Sequence, residues 1–460
     1  MARSKTQLRA DFASALSSMY RHEVPQYGLL LDLVADINQD VAQRHGLKLH
    51  SRIDVERHGA IRLGTAAELH SIRRLFAVMD MHPVNYYDLS VAGLPVHATC
   101  FRPVDRQALS DNPFRVFTSL LRLDFIEDDA LRAKAEAILN QRKIFSDRCL
   151  ELVEQLETCG ETFDSSLAAE FISEALEIFR WHHTSTVDLE TYQALNRDHP
   201  LVADVVCFRG PHVNHLTPRV LDIEAAQTKM LERGLQAKDQ IEGPPSRSYP
   251  ILLRQTSFLA LEEEITFSNG AETGGRHKAR FGEIEQRGMA LTEKGMKLYD
   301  SLMSQALELK GQMPAEEALK TTFSRFPDEL DVLRRERLAY FTYSVGASTP
   351  TTAKTDGADI TSDANIDALV QSGTIKLSPI TYEDFLPISA AGIFHSNIGD
   401  DGPATAQARS DKAAFESALG MKVKSSYELY ECIQAESITE CLRQLYGERA
   451  RIDVGYATTR

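Results

Sequence analysis

Residues 60–103 read AIRLGTAAELHSIRRLFAVMDMHPVNYYDLSVAGLPVHATCFRP, and the fold class turns on them. Thr65 is placed to cap a helix, and the spacing of apolar positions carries that helix through Asp80. Tyr86-Tyr87-Asp88-Leu89 then reads as a strand, and Val96-His97-Ala98-Thr99-Cys100-Phe101 alternates like another. Helix and strand material mixed within one stretch predicts an α+β core.

Upstream, Phe12, Leu16 and Met19, and then Leu29, Leu33, Ile37 and Val41, recur at helical spacing, with Pro25 marking a break between two helices. Residues 1–58 are therefore expected to form an N-terminal helical cap. Downstream, Pro113 stands at a first helical turn and opens a helical pattern, so residues 112–195 are expected to form a helical subdomain inserted in the β core. Leu201 to Phe208 reads as a short apolar strand leading into the turn Pro211-His212-Val213-Asn214-His215. Residues 251–267 and 277–291 read as two strands around Asn269-Gly270 and Gly274-Gly275, a hairpin signal. Residues 346–378 open on a stretch rich in Ser, Thr, Ala, Gly and Asp and are expected to form a surface loop, with no domain border, so that 1–460 is one large unit.

Composition excludes several classes. The chain has 460 residues, 43% hydrophobic and 25% charged, which is a globular composition rather than a fibrous or disordered one. Acidic residues outnumber basic ones 66 to 51, a formal charge of −15, which argues against a phosphate-neutralising nucleic-acid surface but leaves a local basic pocket open. No apolar run approaches the ~20 residues that span a bilayer. The first residues lack a secretory signal pattern, and the 6 cysteines form neither CxxC pairs nor a disulfide-scaffold spacing, so a reduced, cytoplasmic protein is expected.

Three places offer chemistry. His70 and Arg74 lie four apart on the first predicted helix, so one face presents both, as a metal ligand and an anion partner or as an ordinary solvated surface. His212 and His215 follow an apolar segment, where a rigid scaffold can fix an imidazole for a metal; the competing reading is a turn whose Asn and His side chains cap backbone groups. Glu283 and Glu285 share one face of a strand with Phe281, either at an interior polar site or as a solvent-facing row paired with Arg280 and Arg287. Two histidines and a carboxylate from separate segments would make a facial triad with open positions, suited to ferrous iron; zinc in a hydrolase or lyase would use the same donors. No GxGxxG, GxxxxGK[ST] or GxSxG pattern occurs to support nucleotide binding or a serine hydrolase.

Four strings carry a family resemblance: residues 64–74, residues 209–219, Arg280 through Gly288, and Asp384 through Asn397. In this order they resemble the 2-oxoadipate dioxygenase/decarboxylases, also called 2-hydroxyglutarate synthases, over nearly the whole chain. The resemblance implies a single catalytic unit with a vicinal-oxygen-chelate-like central β-sheet and extensive helical decoration. It implies Fe(II) as cofactor, held by His70, His215 and Glu283, with Glu285 competing for the place of Glu283 and His212 outside the ligand set. Arg74 would hold a substrate carboxylate as the catalytic positioning group, and Ile388 and Ser389 would touch substrate. The implied reaction takes 2-oxoadipate and O2 to 2-hydroxyglutarate and CO2, in lysine catabolism. A zinc-dependent hydrolase or lyase acting on a small carboxylic acid, or a non-catalytic binding protein with the three side chains far apart, are the alternatives.

Overall fold

The computed structural model describes residues 2–49, 51–235, 237–238, 240–268, 275–309, 311–346, 359–360, 363–386, 411–447 and 451–452. The chain forms two compact units rather than the single one expected. The first comprises Met1–Gly243, Arg254–Gln286 and Phe385–Lys424, and the second Pro244–Leu253, Arg287–Asp384 and Ser425–Arg460. Two of the divisions fall at the ends of paired strands instead of in a linker, so no shift in composition marks them.

In the first unit, Ser4 opens helix α1 (Lys5–Glu23) with a reciprocal capping box, and Pro25 starts α2 (Pro25–His45), which ends at Gly46 in the left-handed conformation. The expected cap stops short of residue 58, because strand β1 (Arg57–Leu63) already contains His58. Helix α3 (Ala66–Val78) begins at Thr65, whose hydroxyl accepts from the Glu68 amide while the Glu68 carboxylate accepts from the Thr65 amide. The predicted strands follow as β2 (His82–Asp88) and β3 (Val96–Arg102).

The expected helical block over 112–195 begins instead with a strand, β4 (Arg115–Leu121), every residue of which is buried. A short apolar run buried on both faces has no alternation to distinguish it from helix. Helices Asp129–Gln141, Asp147–Thr158, Ser165–Phe179 and Leu189–Asp198 then follow. The same ambiguity reversed the reading of Leu201 to Phe208, where Pro200–Val206 is a helix opened by His199 and Pro200. Strand β5 (Leu216–Pro218) completes a five-stranded mixed sheet in the order β2-β3-β4-β1-β5, with β1 parallel to β4 and antiparallel to β5.

Side-chain alternation gives this sheet two unlike faces. Ile61 and Leu63 of β1, Val116 and Leu120 of β4 and Phe101 of β3 join Leu69, Ile72, Leu75 and Phe76 of α3 in the hydrophobic core, together with Phe12 and Phe171. His58, Ala60 and Arg62 alternate onto the opposite face. Strands β6 (Leu253–Ile265) and β7 (Gly275–Arg287) pair with each other as predicted, and β7 is tied to the chain around β5 by Phe281 N–H donating to Asn214 O at 3.1 Å and Val220 N–H donating to Glu285 O at 2.8 Å.

The second unit contains helices Glu293–Glu308, Ala315–Phe323 and Ser426–Tyr446 and an antiparallel ribbon of Phe341–Val345 with Ile375–Pro379. Part of the expected 346–378 loop is thus regular: Asp363–Gln371 is a helix and Ile375–Pro379 a strand, while 347–358 lies outside the described residues. Among the described residues no helix is long and apolar enough to cross a membrane.

Candidate metal centre

On the polar face of the sheet, His58 of β1, His215 just before β5 and Glu283 of β7 converge, each offering one ligand atom within 4.8 Å of the others. His58 Nε2 lies 3.0 Å from Glu283 Oε1, and His215 Nε2 lies 3.9 Å from the same oxygen. Thr217 donates its hydroxyl to that oxygen at 3.0 Å. Two backbone pairings and one tyrosine hydroxyl fix these positions. Thr217 is the register partner of His58 across β1 and β5. Asn214 N–H donates to Ala60 O at 3.0 Å, and the Tyr20 hydroxyl donates to Asn214 O and Phe281 O at 3.2 and 3.1 Å. Phe385 and His215 both pack edge-on against the His58 ring, at centroid distances of 5.0 and 5.2 Å.

Burial and charge act in opposite senses here. Burial pushes His215 down to about 4, so its imidazole is neutral, which is the form that ligates. Burial would also depress His58, but the Glu285 and Glu283 carboxylates outweigh it and hold this imidazole above its ordinary value. Burial would raise the Glu283 carboxyl; His215 and His58 outweigh it and keep the group ionised.

A second layer orients the first. His58 Nδ1–H donates to Glu285 Oε2 at 2.8 Å, leaving Nε2 directed at Glu283. Glu285 Oε1 stands 4.0 Å from Arg115, which donates to Glu56 at 2.7 Å; Glu56 also accepts from Arg52 at 2.9 Å and Arg219 at 3.0 Å. Burying these carboxylates without partners would be prohibitive, and this chain of alternating charges supplies the partners. Glu283 and Glu285 do share a strand face, but they grip opposite nitrogens of one imidazole: Glu283 stands among the candidate ligands, and Glu285 is the carboxylate that fixes the tautomer.

His70, one of the residues singled out from the sequence, is not part of this cluster. It is exposed on α3 and lies against Gly420, where a Cβ would meet its Nδ1 at 2.8 Å. The reason is the two-faced sheet: α3 buries Leu69, Ile72, Leu75 and Phe76 on the face opposite His58, so a side chain of this helix would have to pass through the sheet. Arg74 follows the same helix outward and is held by Glu157, with Nε and Nη2 donating at 3.0 and 2.6 Å. His212 is buried beside Asp204, at 3.4 Å, outside the ligand cluster. Ile388 and Ser389 lie outside the described residues.

Comparison with known proteins agrees with this architecture. A sequence profile described as 2-oxoadipate dioxygenase/decarboxylase matches residues 12–397. The chain belongs to the 2-oxoadipate dioxygenase/decarboxylase family. A relative of that name from Escherichia coli (strain K12) is 50% identical over 452 residues, covering 96% of this chain and 99% of the relative. The Pseudomonas putida relative of the same name is 48% identical over 457 residues, covering 96% and 97%. The crystal structure of the hydroxyglutarate synthase from Pseudomonas putida in complex with 2-oxoadipate superposes with a TM-score of 0.88 at 46% identity, covering 96% of this chain and 99% of that one.

Within this member of the 2-oxoadipate dioxygenase/decarboxylase family, the sheet also supplies a cation. Arg62 stands four residues after His58 on the same face of β1, its field depresses His215, and its side chain is 20% exposed. Its one side-chain hydrogen bond among the described residues goes from Nη1 to Asp204 Oδ2 at 2.6 Å, leaving the other guanidinium donors uncommitted. The sequence signal for both residues was the alternation of His58, Ala60 and Arg62 in the strand that begins at Arg57, just ahead of the stretch from which the core was read.

Proposed function

We propose that this protein converts 2-oxoadipate and O2 to 2-hydroxyglutarate and CO2, with Fe(II) held by His58, His215 and Glu283. The observation that carries the reading is the convergence of two imidazoles and one carboxylate in a chain about half identical to relatives named for that activity. The donor set fits a ferrous ion: a neutral imidazole, a second imidazole oriented by a carboxylate, and an ionised carboxylate would hold it and would leave coordination positions for substrate. Bound iron would supply a chelation site for a 2-oxo acid and activate dioxygen. The substrate's own decarboxylation provides the electrons, so the atoms balance with no further reductant: one oxygen atom of O2 ends in a carboxylate and the other in the new hydroxyl.

The residues do the orienting. The 2-oxo acid end would lie against the triad, and Arg62 would take the carboxylate at the far end through a forked pair of hydrogen bonds. Phe385 and Phe117, packed edge to face with ring centroids 4.9 Å apart, would supply an apolar edge beside His58 that limits water at the reacting end. His70 and Arg74 take no part. The free thiols of all 6 cysteines fit a reducing, cytoplasmic setting. The test is oxygen uptake and CO2 release by protein loaded anaerobically with Fe(II) and given 2-oxoadipate. Stoichiometric consumption with 2-hydroxyglutarate as product is expected; oxygen-independent turnover with Zn(II) would replace this reading with a hydrolase or lyase.

A further inference from the structure

Beside the metal-ligand cluster, a second buried group of polar side chains converges on Asp204, in the helix Pro200–Val206. Its side chain is 6% exposed. One oxygen, Oδ2, accepts from Arg62; the other, Oδ1, accepts from His277 Nε2–H at 2.8 Å and has His212 Nε2 at 3.4 Å. Because a carboxylate only accepts, His277 carries its proton on Nε2, and Nδ1 is left to accept from the Tyr192 hydroxyl at 3.0 Å. Trp181 closes the group, stacked on His277 with an interplanar angle of 3° and edge-on to His212 at 4.6 Å. Burial would raise the Asp204 carboxyl, but His212, Arg62 and the hydrogen bonds outweigh it and keep it ionised.

Buried Asp204 needs a cationic partner for stability, and the partner it has is Arg62. That arginine is the partly exposed member, its remaining donors are uncommitted among the described residues, and Asp204 holds one of its terminal nitrogens. We infer that Asp204 is a positioning residue that sets the reach of the Arg62 guanidinium, and through it the preference for a 2-oxo acid with a second carboxylate; His277 and Tyr192 hold Asp204 from behind. The inference rests on the reading of Arg62 given under the proposed function. A misplacement of ~1 Å at such a clamp costs on the order of a hundredfold in rate, so one tether is enough to decide specificity.

The experiment compares Asp204→Asn and Tyr192→Phe with wild type, all Fe(II)-loaded, on 2-oxoadipate and on 2-oxohexanoate, which has the same chain without the far carboxylate. Mn(II) affinity is measured separately on each apo-protein by chelator competition. Asn keeps the shape and an acceptor for Arg62, and its amide is accommodated if His277 changes tautomer. The expected result is a fall of about tenfold or more in the ratio of kcat/KM for 2-oxoadipate over 2-oxohexanoate in Asp204→Asn, carried mainly by KM, and about threefold in Tyr192→Phe, with Mn(II) affinity unchanged. An unchanged ratio, or equal losses on both substrates, overturns the positioning role and leaves the proposed function standing. Tyr192→Phe keeps the question decidable if Asp204→Asn fails to fold. A wild-type protein that turns over neither acid removes the proposed function, and this inference with it.

Discussion

Replacing Glu285 with Gln tests whether the strand-face ambiguity between the two glutamates is resolved correctly. Gln keeps the size of the side chain and an oxygen to accept from His58 Nδ1–H, but it removes the charge that makes the 2.8 Å bond charge-assisted. Such bonds contribute about 1.5–3 kcal/mol and neutral ones about 0.5–1.5, so the imidazole loses about 1–2 kcal/mol of orientation and basicity. At 1.4 kcal/mol per factor of ten, this is a loss of roughly 5- to 30-fold in divalent metal affinity. The effect on folding is modest, because Arg115 retains Glu56 at 2.7 Å and is not stranded. Glu283→Gln removes the only anionic donor of the cluster and costs more, on the order of a hundredfold or beyond. The assay is competition between apo-protein and a chromogenic chelator for Mn(II), with Fe(II) repeated anaerobically. Glu285→Gln losing as much metal as Glu283→Gln, or none, would refute the assignment of Glu285 to the outer layer.

Three further outcomes separate this site from the one read on α3. His58→Ala abolishes metal retention whereas His70→Ala, at the exposed residue beside Gly420, retains a full equivalent by elemental analysis; the reverse result would restore His70. Arg62→Ala raises KM for 2-oxoadipate at least tenfold, while Arg74→Ala breaks only its surface pair with Glu157, costs at most about 1 kcal/mol in denaturant melts and leaves kinetics unchanged. Metal binding near neutral pH releases protons, since His58 is held above its ordinary value between two carboxylates and must give up Nε2–H; titrations in buffers of different ionisation enthalpy read it, and buffer-independent heats would exclude it. In the apo-protein the same imidazolium contributes stability fully present below about pH 6.5 and lost as pH rises through the raised folded value.

Local signals were legible where they are chemically strong. The Thr65 cap, the Pro25 break and the alternation of Val96 to Phe101 correspond to α3, α1–α2 and β3 as observed. Short apolar runs were not, since Arg115–Leu121 and Pro200–Val206 have the same texture and opposite structures; burial on all sides erases the period that distinguishes them. At the site, the sequence singled out His215 and Glu283, which the fold brings together, and could not choose between Glu283 and Glu285, because both do face His58. His58 went unread for a boundary reason: a helical cap drawn through residue 58 absorbs the first two residues of β1.

The spacing that drew attention to His70 and Arg74 recurs in His58 and Arg62, and the kind of element decides which pair fits a dicarboxylate. On a helix, residues four apart hold their Cβ atoms about 5–6 Å from one another, so a metal ligand and a cation crowd together. On a strand, four residues advance about 13 Å along one face. A ligand chelated at one end by a metal on His58 and held at the other by a guanidinium reaching back from Arg62 needs the longer interval. The same strand turns Ile61 and Leu63 into the core, anchoring both polar side chains on a rigid element. Moving the arginine two residues nearer on that face, as Ala60→Arg with Arg62→Ala, shortens the interval by about 6–7 Å and leaves too little room for a six-carbon acid. This double variant should lose 2-oxoadipate turnover while keeping Mn(II) affinity; retained turnover at an unchanged KM would show that strand spacing does not measure the substrate.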